Sequence, residues 1–148
     1  MATYSFTSVH ATLVTPTGTI SIGSDAGVGE EGITVEPAAA KNQMTIGADG
    51  RGMHSLIANN SGTITVRLLK TSAVNARLQA AFNLQTQAPA THGKNVLVIR
   101  NTYMRDVVTA TDVAFGRQIT DTYAMEGGIN EWVFESLHMV ILLGDGAD

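Results

Sequence analysis

The stretch Thr63-Ile64-Thr65-Val66-Arg67-Leu68-Leu69-Lys70, followed at once by Thr71-Ser72-Ala73-Val74-Asn75-Ala76-Arg77-Leu78, contains both kinds of element that this chain needs. In its first half Ile64, Val66 and Leu68 share one parity, while Thr63, Thr65, Arg67 and Leu69 share the other. A period of two with one apolar side is the mark of a half-buried strand. In its second half Ser72 suits an N-cap, and Val74, Leu78, Ala81 and Phe82 follow at helical spacing. That spacing puts them on one face and predicts an amphipathic helix over about 73–84.

Outward from this pair the chain reads almost entirely as strand. Upstream, Thr3 to Val14 is a long strand, Thr15-Pro16-Thr17-Gly18 a turn and Thr19 to Gly23 the returning strand of a β-hairpin. His54 to Ala58, Asn59 to Gly62 and Thr63 to Lys70 read as strand, tight turn and strand. Between them, 23–52 is rich in Gly and acid and reads as one long extended loop, interrupted by short β-type runs at Ile33-Thr34-Val35 and Lys41 to Ile46. Loops of that length inside a compact domain are usually functional or disordered. Downstream, strands are expected at Asn95 to Asn101, Asp106 to Phe115, Arg117 to Ala124, Asn130 to Glu135 and Met139 to Leu143. The expectation is a single domain, 1–148, of the mainly β class: an antiparallel β-sandwich or barrel with one flanking helix.

Composition agrees. Thr (18), Val (13) and Ile (10) are abundant, which favours strands. Charged residues are 15%, against about 25% in an ordinary soluble domain, so the surface is easily buried against copies of itself. The absence of Cys excludes disulfides, thiolate metal sites and thiol catalysis, and suits folding in a reducing cytoplasm. No apolar run approaches the length of a membrane span, and Met1 to Phe6 lacks the basic-then-apolar order of a signal peptide. The net charge of −4 argues against a grip on nucleic acid. Charge is also segregated. Residues 1–53 carry −3, residues 54–105 carry +6 with no acid at all, and residues 106–148 carry −7. Folding can interleave these segments into a mixed surface, or basic and acidic faces of neighbouring copies can meet head to tail.

The residues for chemistry do not assemble. Gly27-Val28-Gly29-Glu30-Glu31-Gly32 matches GxGxxG in form, but a β-type run follows it, and Glu30 and Glu31 would repel a pyrophosphate. His10, His54, His92 and His138 are dispersed, and Asp121, Glu126, Glu131 and Glu135 lack the spacing of a calcium loop. No nucleophile elbow is present, so no catalytic, cofactor or metal residues are assigned. The aromatics show no interleaving with basic residues, which makes them core or interface anchors rather than base-stacking platforms. Trp132, Phe134, Phe82 and Leu78 are the expected core anchors.

Several stretches, in order along nearly the whole chain, carry a family likeness: Tyr4-Ser5-Phe6, GVGEEGITVE (27–36), KNQMTIGADG (41–50), Met53-His54-Ser55, SGTITVRLLKTS (61–72) and EGGINEWVF (126–134). They resemble the tail tube proteins of contractile-tailed bacteriophages. The resemblance implies hexameric rings stacked into a hollow tube, subunit sheets joined into one inner barrel, and a loop or hairpin reaching the adjacent ring. It implies a sheath outside the tube, a tape measure protein in the lumen during assembly, baseplate and terminator proteins at the ends, and DNA passing without specific binding. It places the protein in the virion tail, assembled in the host cytoplasm, with no cofactor. A conduit should not hold phosphate, so a polar, net negative lumen is expected. Within this picture 23–52 is the inter-ring loop. Glu30, Glu31 and Glu36 are then candidate interface partners of Arg67, Lys70 and Arg77. A capsid decoration protein or a tail terminator would share this composition but form trimers or single rings, and a small binding module is the remaining alternative.

Overall fold

The computed structural model describes residues 3–24 and 26–144, with the side chains of Glu30 and Glu31 outside that description. Its strands are β1 (Val9–Thr15), β2 (Gly18–Ser21), β3 (Val28–Pro37), β4 (Asn42–Ile46), β5 (Gly52–Leu56), β6 (Gly62–Leu69), β7 (Asn95–Asn101), β8 (Asp106–Phe115) and β9 (Ile129–Leu142). The helix α1 (Val74–Gln85) links β6 to β7. Seven strands form one antiparallel sheet in the order β2-β1-β7-β8-β9-β6-β3, curled into a half-barrel, while β4 and β5 pair only with each other. The expected mainly β architecture with one helix is therefore present.

Alternation along each strand decides what the curl encloses. Ile64, Val66 and Leu68 of β6 are fully buried, as are Leu13 of β1, Leu97 of β7, Val113 of β8 and Trp132 and Phe134 of β9. Leu78 and Ala81 of α1 complete the concave core, with Val74 and Phe82 packed against it. Phe115 is the centre of an aromatic cluster, with ring centroids 5.6 Å from Phe82, 6.0 Å from Trp132 and 5.0 Å from Phe134. The Trp132 indole N–H donates to Asn75 Oδ1 at 3.0 Å, and the Asn75 amide donates to the carbonyls of Leu69 (2.9 Å) and Ser72 (3.2 Å). One side chain thus ties the strand-to-helix corner to the core tryptophan. At the other end of α1, Gln85 and Asn95 exchange two amide hydrogen bonds of 2.8 and 2.7 Å while both are buried.

Several expected elements differ. The first strand begins only at Val9, because Phe6–Ser8 form a 3-10 turn under Ser5. Ser72 acts one residue outside the helix, whose cap position is Ala73, and its hydroxyl accepts from Val74 N at 3.3 Å. The stretch 23–52 is not one loop: β3 is a ten-residue strand of the main sheet, and β4 starts a second ribbon. His54 to Ala58 does not turn back onto β6; Met53, His54 and Ser55 pair with Thr45, Met44 and Gln43. Arg117 to Ala124 is not a strand. Its β-forming residues are held by side chains instead: Gln118 and Gln79 exchange amide bonds of 3.0 and 2.7 Å, and Ile119 packs on the core. Finally, the strands expected at Asn130 to Glu135 and Met139 to Leu143 are one strand, β9, which ends at Leu142. The Ser136 hydroxyl, buried on the core side, donates to the carbonyls of Thr111 (2.9 Å) or His138 (2.8 Å), so a polar residue interrupts the pattern without breaking the strand.

Two stability outcomes follow from these contacts. Trp132→Ala empties a fully buried site and should cost about 3–5 kcal/mol in chemical denaturation. Gln85→Leu leaves the Asn95 amide buried without its partner and should cost about 1–3 kcal/mol, whereas Gln85→Leu with Asn95→Leu should recover much of that loss.

Candidate assembly surfaces

The half-barrel does not close on itself. Among the described residues, β2 pairs only with β1 and β3 only with β6, so each presents one unpaired edge. The two edges differ in charge. The acidic one, β3, contains Glu30, Glu31 and Glu36. At the β2 edge, the Arg77 guanidinium of α1 donates to Thr19 O at 2.7 Å. A positive group therefore stands at one margin of the sheet and acids at the other.

The second surface is a projecting arm. After Pro37↔Gly62, the β3–β6 ladder continues through Ala38 N to Ser61 O (3.0 Å) and Ile57 N to Lys41 O (2.8 Å), then through β4 and β5. The pairing shifts by one residue on the way, since Pro37 faces Gly62 but Asn42 faces Leu56. Lys41 braces this joint by donating to Asn59 O at 2.7 Å and to the Asn60 side chain. Gly62 sits at the fork, where a Cβ would lie 2.9 Å from Glu36 O and 2.3 Å from the Met139 methyl. Register puts Met44, Ile46 and Leu56 on one face of the arm, with His54 opposite Met44. Gln43, Thr45 and Ser55 lie on the other face with Met53. All four large apolar residues are exposed, Leu56 to 88%. An isolated two-stranded ribbon is marginal in water, and this one stands apart from the main sheet.

The third surface lies at the far end of β6. Leu69 faces Ile129 across the β6–β9 ladder, and both are about half exposed. The connection from β8 to β9 passes beside them, presenting Tyr123 (86% exposed) and Met125 (101%). Lys70 holds this connection. Its ammonium pairs with Asp121 and lies 4.3 Å from the centre of the Tyr123 ring. Hydrogen bonds from Lys70 and Tyr123, with the Lys70 charge, hold the Asp121 carboxyl below its ordinary range.

The convex face of the sheet is lined by small side chains. Thr12, Val98, Thr109 and Val140 form one cross-strand row; Thr34, Thr65 and Val133 form another. Its most ordered charges make a chain: Arg67 donates to Thr34 Oγ1 at 2.9 Å and lies 3.5 Å from Glu131, which lies 3.8 Å from Arg117.

The charged residues expected at an interface are thus placed apart. Arg67, Lys70 and Arg77 each engage partners within the chain, and Glu36 is exposed on edge strand β3. Glu30 and Glu31 belong to the same strand, with side chains outside the described residues. None of the three acids is on the projecting arm, whose charges are Lys41, Asp49 and Arg51. Sequence reasoning missed the arm's apolar face and the Tyr123–Met125 patch. The signal for the first was Met44 and Ile46 alternating outside any core.

A concavity of about 600 Å³ at the fork collects His92, Lys94, Asp112 and Glu135. Among the described residues no three His, Asp or Glu side chains gather as metal ligands, and no helix is long and apolar enough to cross a membrane.

This open sheet with its projecting arm has counterparts among known proteins. The family model of the bacteriophage PhiTE tail tube protein matches residues 1–144. The chain belongs to that family. Comparison with curated protein sequences gives no match. Among solved structures, the fold is similar to a chain of an anti-feeding prophage baseplate (TM-score 0.58, 15% identity, covering 96% of this chain and 97% of that one). It is also similar to a chain of the anti-feeding prophage tube-terminating cap (0.56, 10%, 97% and 95%). A third similar chain comes from the sheath–tube complex of the PVC extracellular contractile injection system in its extended state (0.54, 11%, 90% and 88%).

Two measurements test this geometry. Trypsin should cut the free subunit first at the exposed Arg51, leaving the main sheet intact. The Asp121 carboxyl titrates below its ordinary range in the folded state, so its anchor is complete above that range and is lost only as pH falls through the lowered value. The Lys70 ε-methylene proton shifts caused by the Tyr123 ring should therefore persist through mildly acidic pH and disappear in Asp121→Asn at neutral pH.

Proposed function

We propose that this protein is the structural subunit of a phage tail tube, non-enzymatic, forming hexameric rings that stack into a hollow conduit for DNA. The observation that carries the reading is the family match along 1–144, combined with a sheet left open at two electrostatically unlike edges. Such edges favour contacts between different margins of neighbouring copies, and a heterologous contact closes into a ring when its rotation allows. In this reading Glu30, Glu31 and Glu36 of β3 face the Arg77 margin of the next copy, and the arm reaches along the axis to an adjacent ring. Arg67 and Lys70 then serve the subunit that carries them, by ordering the convex face and the β8–β9 connection.

The convex face supplies the inner wall. Two of its rows are Thr and Val and Arg67 is engaged with Glu131 and Thr34, so Arg100, exposed beside His10 on the same face, is where passing phosphates would meet a cation. The similar chains come from particles whose names include a sheath, a terminating cap and a baseplate. By analogy the partners here are a contractile sheath, terminator and baseplate proteins, and a tape measure protein in the lumen during assembly. The setting is a virion tail built in the host cytoplasm.

Electron microscopy of concentrated protein, alone and with tail extract, should reveal hollow tubes or stacked rings; persistent monomers under both conditions would count decisively against this function. Glu30→Lys with Glu31→Lys should reduce ring formation strongly while leaving the melting temperature nearly unchanged. Unaltered assembly would remove both residues from the interface.

A further inference from the structure

The tip of the projecting arm carries a reactive pair of residues. Ala48, Asp49 and Gly50 form the hairpin loop: Gly50 N donates to Gly47 O at 3.0 Å, Gly47 N donates to Arg51 O at 2.7 Å, and Gly50 closes the turn at a φ of 87°. A positive φ there selects glycine, and the residue before it is Asp49. A Cβ on Gly50 would meet nothing within 4 Å, and the Asp49 side chain is 71% exposed, so nothing crowds the carboxyl or the Gly50 nitrogen. The other described aspartates, Asp106, Asp112 and Asp121, precede Val, Val and Thr, whose branched Cβ shields the nitrogen that follows the carboxyl. Two contacts restrain the pair at the tip. The Gly50 N–H is committed to Gly47 O, and Asp49 Oδ1 accepts from Arg51 N at 3.1 Å.

We propose that Asp49 is a site of spontaneous covalent modification, converting to isoaspartate when the arm opens. The Gly50 nitrogen attacks Asp49 Cγ. A C–N bond forms, and the hydroxyl of the protonated carboxyl leaves as water with the proton from nitrogen. The succinimide then takes up one water. Addition at Cγ restores aspartate, and addition at the Asp49 α-carbonyl yields isoaspartate. The sequence is an isomerisation and needs no oxidant, reductant or cofactor. Opening of the arm is the gate, because the attack requires both turn contacts to break. β4 and β5 pair only with each other and are exposed along nearly their whole length, so they part without disturbing the core. Isoaspartate carries the main chain through its Cβ, which lengthens the loop and stops Gly47 N from closing onto Arg51 O. The product therefore holds the tip of the arm frayed. The inference goes beyond the tube reading and does not depend on it.

The full chain, incubated under native conditions, should accumulate isoaspartate at position 49. It is read by labelling with an isoaspartyl methyltransferase and S-adenosylmethionine, and located by peptide mapping. Asp49→Asn should convert severalfold faster, with ammonia leaving in place of water, and Asp49→Glu should not label at this position because it would have to close a larger ring. Met44 and His54 face each other across the ribbon at a pair without mutual ladder bonds, where side chains lie close. Met44→Cys with His54→Cys therefore pins the arm on oxidation and should slow conversion severalfold until the disulfide is reduced. Gln85→Leu weakens the core but not the arm, and should leave the rate unchanged. Absence of conversion in both the unaltered chain and Asp49→Asn, while both convert in guanidinium chloride, overturns the proposal. A rate indifferent to the disulfide, or one that rises with Gln85→Leu in step with the lost stability, also overturns it, since either removes the arm as the gate.

Discussion

The governing constraint is that seven strands curl far enough to bury a core but not far enough to meet. Closing the barrel would require β2 to pair with β3, and α1 fills the concave side instead, with Ile22 and Ala26 buried in the same core as Leu78. The outer margins of β2 and β3 therefore have no ladder partner among the described residues. An open edge is ordinarily a hazard that proteins blunt with short strands and charge. Here β2 is four residues long and Arg77 covers one of its carbonyls, while β3 concentrates acids.

Long strands make such an open structure stable. β9 runs fourteen residues and serves two neighbours in succession: its start, Ile129 to Val133, pairs with β6, Phe134 to Ser136 lie between β6 and β8, and the rest continues along β8. The core therefore depends on β8 and β9 as a common spine, with Phe115, Trp132 and Phe134 at its centre. The Asp112 bulge, with φ of 52°, falls on this spine and lets β8 keep register with β9 while shifting it against β7. Stability is invested in the spine and the helix, which leaves the margins and the arm available for association.

Much of the fold was legible because local pattern and final role coincide. The boundaries of β7 and β8 could be read directly, and Thr15-Pro16-Thr17-Gly18 marked its hairpin because Thr15 faces Gly18 across a two-residue turn. The failures have tertiary causes. Met44 and Ile46 alternate as strand residues do, but alternation does not say whether a ribbon joins the sheet or stands away from it. Ile119, Thr120, Thr122 and Tyr123 have strand propensity, yet a lysine 51 positions from Asp121 decides their path. The candidate surfaces were the least legible part, since edge status is a property of topology. Glu30, Glu31 and Glu36 read as members of a flexible acidic loop, and only the register of β3 against β6 shows them to belong to a margin.

That placement changes what the acids can do. Two copies approaching margin to margin have three combinations available. A β3–β3 approach brings six carboxylates together, and like charges directly opposed across a ladder are destabilising. A β2–β2 approach opposes two Arg77 groups and offers only a four-residue ladder. The unlike combination alone sets acids against a guanidinium. The charges that protect the open sheet from pairing at random are therefore the same charges that give its pairing a direction. Direction is the property the proposed ring needs, because a contact between like margins is two-fold and turns the next copy over, whereas a contact between unlike margins repeats by rotation alone.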